Sequence, residues 1–257
     1  MHDTTKQSAA QWPTAPRSSV DWLAELCQDD GLTGFPAPAM PDAVWVLNAM
    51  YQHDDGPGRA NPEDAEPPSE LPGLPGVPTV GVGGGLGRAD HPGPGWRRLR
   101  WAELAERVGD PVVPEGIPPC YRCFPSVTDN GGRPTGIAWP TEGSLDRDTW
   151  NRLIAVLTAH SPAGPDTPCL AYYNPMTLGL DDFKTQHVVT ARLGDALALF
   201  DYPEAEFTPA NFWPQDRSWL LWTDYDLWAT KVVGPTALIE AVLTDPELEA
   251  LRLPWHH

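Results

Sequence analysis

The sequence predicts an α+β fold, in which helices pack on a mainly antiparallel sheet contributed mostly by residues 120–253. The first reason is a short, almost wholly apolar run at 218–223, which is typical of a strand buried on both faces. The turn Asp224-Tyr225-Asp226 and a β-rich run at 227–233 follow it, in the order expected of a hairpin. The second reason is that Gly234-Pro235 ends this run and begins a segment with apolar residues at helical spacing, namely Leu238, Ile239, Val242 and Leu243.

Residues 1–53 are predicted to form an N-terminal helical segment. After a lead of 17 residues without a regular pattern, Ser18 or Ser19 can cap a helix. That helix would carry the apolar residues Val20, Trp22, Leu23, Leu26 and Cys27. Pro41 is expected to begin a second helix that extends to about His53.

Residues 54–95 are predicted to be a linker or a long irregular loop, because 9 prolines and 11 glycines occur among these 42 residues. The run GVGGGLG within it lacks the spacing of G-x-G-x-x-G and is not followed by Gly-Lys-Ser/Thr. A flexible spacer is therefore the better interpretation than a nucleotide-binding loop.

Residues 96–257 are predicted to form the α+β domain, beginning with a helix over 96–108. The first half of that helix contains the densest basic cluster of the chain, Arg97, Arg98 and Arg100. These arginines could hold a phosphate or a carboxylate. We favour the alternative that they pair with the surrounding acidic residues.

The following elements are predicted from periodicity and caps. Trp150, Leu153, Ile154 and Leu157 lie on one face of a helix that Ser144 or Asp146 can cap. Strands are expected at Pro168–Tyr173, at 187–191 and, with a weaker pattern, at 196–200. Asp245-Pro246-Glu247 repeats the start signal of a helix near the C-terminus.

The tetrapeptide best suited to metal binding or redox chemistry is Cys120-Tyr121-Arg122-Cys123. Two thiolates at this spacing can supply half of a tetrahedral zinc site or form a redox dithiol. A second C-x-x-C is absent from the sequence, and Cys27, Cys169 and His160 are the remaining separate donors. We therefore expect no metal and no cofactor; if a metal is bound, Cys120 and Cys123 are the candidate ligands.

The candidate binding residues lie in the aromatic segment near the C-terminus. They are Trp213, Asp216, Arg217, Asp224, Tyr225 and Asp226. Asp224 and Asp226 could bind a cation or act as acid and base. The simpler interpretation is that they close the hairpin turn, that Asp216 and Arg217 form an ion pair, and that the tryptophans belong to the core.

Two patterns in this half of the chain, WPTEGSLD and FWPQDRSW…TDYDLWATKVVG, carry a resemblance to known sequences. Over residues 139–253 the sequence resembles a family of uncharacterised actinobacterial proteins. The resemblance implies no particular activity. The acidic, mixed helix-and-sheet character is also similar, at the level of class, to bacterial immunity and regulatory proteins.

The formal net charge of −18 argues against a nucleic-acid-binding surface, which depends on clustered Lys and Arg. An acidic surface can attract a basic protein partner, although the simpler interpretation, which we favour, is that the charge serves solubility alone. No apolar run has the length of a membrane span, and the N-terminus lacks a signal-peptide pattern, so we expect a cytoplasmic location. The predicted function is a non-catalytic protein-binding or regulatory role. The alternative is a metal-assisted hydrolase using the Asp224/Asp226 hairpin or the Cys120/Cys123 pair.

Overall fold

A seven-stranded antiparallel sheet is the centre of the fold, which is α+β as the sequence predicts. The computed structural model describes residues 12–26, 40–56, 69–70, 78–79, 85–112, 118–128, 136–173 and 187–253. The strands are β1 Asp42–Leu47, β2 Met50–His53, β3 Ser69–Glu70, β4 Pro78–Thr79, β5 Trp96–Leu99, β6 Ile137–Ala138, β7 Pro168–Tyr173, β8 His187–Arg192, β9 Asn211–Pro214, β10 Leu220–Thr223, β11 Ala229–Gly234 and β12 Ala250–Arg252. The α-helices are α1 Asp21–Leu26, α2 Trp101–Val108, α3 Pro125–Thr128, α4 Arg147–Ala159 and α5 Thr236–Thr244.

The large sheet has the strand order β12-β1-β11-β10-β9-β7-β8, and a smaller sheet has the order β5-β2-β6. Every residue of β1 and of β11 is buried, because the large sheet is covered on both faces. Side chains along β1 alternate between two cores: Val44 and Val46 enter one, and Ala43, Trp45 and Leu47 enter the other.

Each face of the large sheet has its own covering layer. The first core lies beneath α4, α5 and the 3-10 segment Leu193–Asp201, and its buried side chains include Trp150, Leu153, Leu238 and Ile239. The second core lies beneath the small sheet and α2, and it contains Leu99, Trp101, Phe124 and Trp228. None of the helices in the described part of the chain has the length and apolar character needed to cross a membrane.

The predicted second helix over 41–53 is wrong, because this segment forms β1 and β2. Val44 and Leu47 fit helical spacing, but a short apolar run rich in β-branched and aromatic residues suits a buried strand equally well. The chain passes from the large sheet to the small one at Asn48. The Asn48 N–H donates to the carbonyl of Trp228 (2.8 Å), and the Asn48 carbonyl accepts from Trp101 Nε1 (2.9 Å).

Three other predicted elements differ in the structure. The helix expected over 96–108 begins only at Trp101, since residues 96–99 pair with β2. The weak strand at 196–200 is part of the 3-10 segment Leu193–Asp201. The helix signal at Asp245 is wrong as well: its Oδ1 accepts from the N–H groups of Glu247 (2.9 Å) and Leu248 (3.3 Å), but a turn and then β12 follow.

Several predicted elements are confirmed. Helix α4 has Asp146 at its N-cap, where Oδ1 accepts from Thr149 N (3.1 Å). Strands β7 and β8 lie where the apolar patterns place them, and β10, β11 and α5 form the predicted strand–hairpin–strand–helix order. The N-terminal helix is present, although 3-10 turn Arg17–Val20 precedes it and no side chain caps that turn.

The Pro/Gly-rich segment 54–95 is partly outside the described residues, which here are 54–56, 69–70, 78–79 and 85–95. Within them, β3 and β4 pair with each other, and Leu86 forms an isolated bridge with Glu142. Strands from both sides of this segment pair in the same sheets, since β1 adjoins β11 and β2 adjoins β5. The division of the chain into an N-terminal segment, a linker and an α+β domain stays a prediction.

The tryptophans of the C-terminal module should differ in their contribution to stability. Trp219 and Trp228 are each 1% exposed, and Trp219 Nε1 donates to Ser161 Oγ (3.1 Å), whereas Trp222 is only partly buried. We expect Trp219→Ala and Trp228→Ala each to lower the free energy of unfolding by about 3–5 kcal/mol, and Trp222→Ala to lower it less. Urea denaturation of the three variants measures this, and equal losses would contradict the difference in burial.

Candidate functional site

Four loops converge on the hairpin turn between β10 and β11. The N–H of Gly143 donates to the carbonyl of Leu227 (3.0 Å), and the N–H of Trp228 donates to that of Pro119 (2.9 Å). Ser144 Oγ accepts from the N–H of Thr208 (2.9 Å). The segments 85–88, 118–123, 141–144, 206–208 and 224–228 therefore form one corner of the molecule, which we call the loop corner.

Gly143 is the residue around which this corner is packed. Its φ of 78° lies in the left-handed region. A Cβ at this position would lie 2.7 Å from Cε1 of Phe207 and 2.9 Å from Cα of Tyr225. Only glycine allows the aromatic ring and the hairpin turn to approach the chain this closely.

The segment that contains Leu86 is attached to the corner by backbone hydrogen bonds. Glu142 N–H donates to the carbonyl of Gly85 (3.0 Å), and Gly87 N–H donates to that of Glu142 (2.9 Å). Arg88 N–H donates to the carbonyl of Glu206 (2.9 Å). These bonds hold the last residues of the glycine run in one conformation, which its composition did not indicate.

The loop corner displays apolar side chains to solvent. Leu86 is 65% exposed and Tyr225 is 37% exposed. Phe207, whose ring lies against Gly143 beside the Tyr225 backbone, is half-buried. We call these three residues the apolar patch. Acidic residues adjoin it on several sides and form what we call the acidic rim: Glu142, Glu206, Asp224 and Asp226.

The hairpin aspartates have the geometry of a turn. Asp224 Oδ1 accepts from the N–H of Asp226 (2.9 Å), as the simpler interpretation of the sequence predicted. Burial raises the pKa of the Asp224 carboxyl above its ordinary value, and the charge of Asp226 adds to that effect. Asp226 itself is exposed.

The other three predicted binding residues lie at the opposite end of β10. Trp213 is 1% exposed, and its ring lies 5.8 Å from that of Trp22. Asp216 Oδ1 accepts from the N–H of Ser218 (3.0 Å), and the guanidinium of Arg217 lies 4.9 Å from the Trp22 ring. The predicted ion pair between Asp216 and Arg217 is wrong: within the described residues, neither forms a salt bridge. The six residues thus do not form one site.

Cys120 and Cys123 belong to the 118–123 segment of the loop corner. Cys120 is buried and begins a 3-10 turn, and its carbonyl accepts from the N–H of Cys123 (3.0 Å). A hydrogen bond from the Cys123 thiol, together with the backbone N–H and charge of Arg122, lowers the pKa of the Cys120 thiol. In the part of the chain that the structure describes, no three Cys, His, Asp or Glu side chains are grouped so as to bind a metal ion. Cys27 lies outside that part.

In this structure the WPTEGSLD segment connects several elements of the fold through packing and hydrogen bonds. Trp139 packs on Trp228 and Phe124, with ring centroids 5.9 and 6.1 Å apart. Leu145 is fully buried, and Asp146 caps α4 while its Oδ2 accepts from the N–H of Ala49 (3.2 Å).

Sequence reasoning missed the roles of Gly143 and Leu86. The only local signal was a glycine inside an otherwise polar motif.

Comparison of the chain with family models, with curated proteins and with solved structures gave no match. The resemblance to a family of actinobacterial proteins therefore stays a prediction. The function has to be argued from the contacts and charges of the site itself.

Substitution of Gly143 tests whether the loop corner is packed as described. Gly143→Ala should lower the free energy of unfolding more than Gly109→Ala, by at least about 1 kcal/mol. The control shares the backbone strain, with a φ of 77°, but a Cβ at Gly109 would contact nothing within 4 Å. Thermal or urea denaturation measures the difference, and equal losses would mean that Phe207 and Tyr225 do not pack on Gly143.

The cysteine pair should be recognisable by its alkylation chemistry. The pH midpoint for reaction of Cys120 with iodoacetamide should lie below the value of about 8.5 for an ordinary thiol. Cys123→Ala should raise that midpoint because it removes the S–H donor, whereas Cys123→Ser keeps a donor and should raise it less. Peptide mass spectrometry across a pH series gives the midpoints. An identical midpoint in all three proteins would show that Cys123 does not stabilise the thiolate.

Proposed function

We propose that this protein is a non-catalytic, immunity-like binding or regulatory protein of the cytoplasm, and that the loop corner holds a basic protein partner. The observation that carries the proposal is the apolar patch of Leu86, Phe207 and Tyr225 with acidic residues around it. An apolar centre with a polar rim is the usual composition of a protein interface. Exposed Leu86 and Tyr225 would supply the anchor side chains.

The rigidity of the patch supports this role. Leu86 lies between two backbone hydrogen bonds to Glu142, and the Tyr225 backbone lies against Gly143. A partner would therefore meet side chains whose backbone is already ordered, so less conformational entropy is lost on binding. Tyr225 also presents an aromatic body with a polar hydroxyl, a combination that is enriched in binding hot spots.

The charge of the rim indicates the chemistry of the partner. Among the described residues, Asp224, Asp226 and Glu206 form no ion pair. The chain as a whole carries a formal charge of −18. A basic protein surface would be attracted to this corner, whereas the phosphate backbone of a nucleic acid would be repelled.

The alternative of a metal-assisted hydrolase at the hairpin or the cysteine pair gains no specific support. Asp224 uses one carboxylate oxygen to close the turn, and Cys123 Sγ lies 3.8 Å from the carbonyl of Pro118. The observed contacts therefore support the binding role better than the hydrolase.

The proposal predicts that a partner captured from an extract of the producing cells depends on the apolar patch. Leu86→Ser and Tyr225→Ala should each weaken its affinity about tenfold or more, since removal of an anchor side chain at an interface typically has such an effect. Leu197→Ser is the matched control, because Leu197 is 46% exposed but lies in the 3-10 segment outside the patch. Affinities are measured by calorimetry with the purified partner.

A second experiment tests the contribution of the acidic rim to partner binding. Asp226→Asn combined with Glu206→Gln should slow association and reduce its dependence on salt, with little change in dissociation. If the patch variants and Leu197→Ser bind the partner equally well, or if the partner is acidic, the proposal is wrong.

A further inference from the structure

Three arginines line one open pocket on a different part of the surface. The cavity has a volume of about 560 Å³, which is in the range of small-molecule sites. It is bounded by the junction of β5 with α2, by one face of α4, and by the turn that precedes β12. The lining residues are Arg98, Arg100, Asp148, Asn151, Arg152, Ala155, Pro246 and Glu247.

Two of these arginines have no carboxylate partner. Arg152 pairs with Asp245 (2.7 Å), and the neighbouring Arg97 pairs with Glu103 (2.8 Å). Arg98 and Arg100, in contrast, form no ion pair with any carboxylate in the described part of the chain. The expectation that the basic cluster pairs with surrounding acids is therefore right for Arg97 and wrong for Arg98 and Arg100. Arg152 also lies 3.4 Å from Glu247, so the three arginines and two carboxylates that line the pocket carry a small net positive charge in a chain whose formal charge is −18.

The hydrogen bonds of Arg98 are incomplete. Its Nη1 donates to Thr149 Oγ1 (3.2 Å), but Nε and Nη2 are buried and have no hydrogen-bond partner. Leaving the donors of a buried charged group unpaired costs free energy. An oxyanion that drew this guanidinium toward the pocket would supply the missing acceptors.

Arg100 is held in place without being neutralised. Its Nη1 and Nη2 donate to the carbonyls of Leu248 (3.0 Å) and Pro246 (2.6 Å). The same turn is fixed from its other side, because the Glu249 carboxylate accepts from the N–H groups of Trp101 (3.0 Å) and Ala102 (3.1 Å) at the start of α2. The part of the wall formed by Arg100 and this turn is thus ordered before any ligand binds.

From this arrangement we infer that the pocket binds the phosphate group of a small phosphorylated molecule, with Arg98 and Arg100 as its ligands. A phosphate monoester carries a charge of about −1.5 to −2 at neutral pH, which matches two uncompensated guanidinium groups. Guanidinium also fits the geometry of phosphate oxygens better than any other side chain. Glu247 pairs with Arg152 (3.4 Å), whereas the Asp148 carboxylate is an acceptor for a hydroxyl group on the rest of the ligand and disfavours a polyanion.

This site shares no residue with the apolar patch or the acidic rim, so it does not depend on the proposed protein partner. The test is calorimetric titration of the purified full-length chain with inorganic phosphate at low ionic strength, where charge interactions are least screened. We expect saturable binding with a Kd in the millimolar range or tighter. Arg98→Gln should weaken binding at least about tenfold, because a charged hydrogen bond is lost.

Two further variants show whether a loss of phosphate binding is due to the pocket or to unfolding of the protein. Ala155→Leu narrows the pocket from an exposed helix position without changing charge or helix propensity, and it should also weaken phosphate binding. Arg192→Gln removes an arginine that pairs with Asp166 outside the pocket (3.1 Å), and it should bind phosphate like the wild type. Absence of saturable binding, an effect of Arg192→Gln equal to that of Arg98→Gln, or tighter binding of succinate than of phosphate would each overturn the inference.

Discussion

The pairing of β1 with β11 is the interaction on which the rest of the structure depends. Six residues of an N-terminal segment pair antiparallel with six residues near the C-terminus, from Asp42 opposite Gly234 to Leu47 opposite Ala229. Both strands are buried along their whole length, and their apolar side chains enter one or the other of the two cores. Even Lys231 is buried, with its ammonium 5.5 Å from the Trp45 ring, and burial lowers its pKa to about 8. Separation of these two strands would expose both cores at once.

The sequence predicted elements whose signals are local and failed where the deciding contacts are distant. Helix α4 was predictable because its apolar stripe and its cap, Asp146, lie within a few residues of one another. Strand β1 was not, since its short apolar run is compatible with helix or strand until its neighbours β11 and β12 are known. The start of α2 depends on Glu249, which is 148 residues away from Trp101. No pattern in the sequence connects those two positions.

The candidate site shows the same difference between features with local signals and features that depend on distant contacts. Closure of the hairpin by Asp224 could be predicted, because an aspartate bonds its own backbone two residues further on. The apolar patch could not, because Leu86, Phe207 and Tyr225 come from three separate loops: the first is bonded to Glu142, and the other two pack on Gly143. Trp213, a candidate binding residue by its type, is buried against Trp22 instead. Residue type indicated which side chains can contact a partner, but only the packing decides which of them reach the surface.

The net charge of the sequence predicts that the surface is acidic, but it does not predict where on the surface the charged groups lie. In a chain with 35 acids and 17 bases, an average arginine has several acidic residues available to it. Six of the twelve arginines in the described part form ion pairs with them, as Arg147 does with Asp201 (2.8 Å) and Arg192 with Asp166 (3.1 Å). Arg98 and Arg100 do not, because their neighbours Thr149, Pro246 and Leu248 offer hydroxyl and carbonyl oxygens in place of carboxylates. Since a carbonyl orients a guanidinium without cancelling its charge, the fold keeps two positive groups available at one pocket and a cluster of negative groups at the loop corner. The local hydrogen-bond partners, and not the total charge, therefore determine which charged groups of this acidic chain are left without an opposite charge.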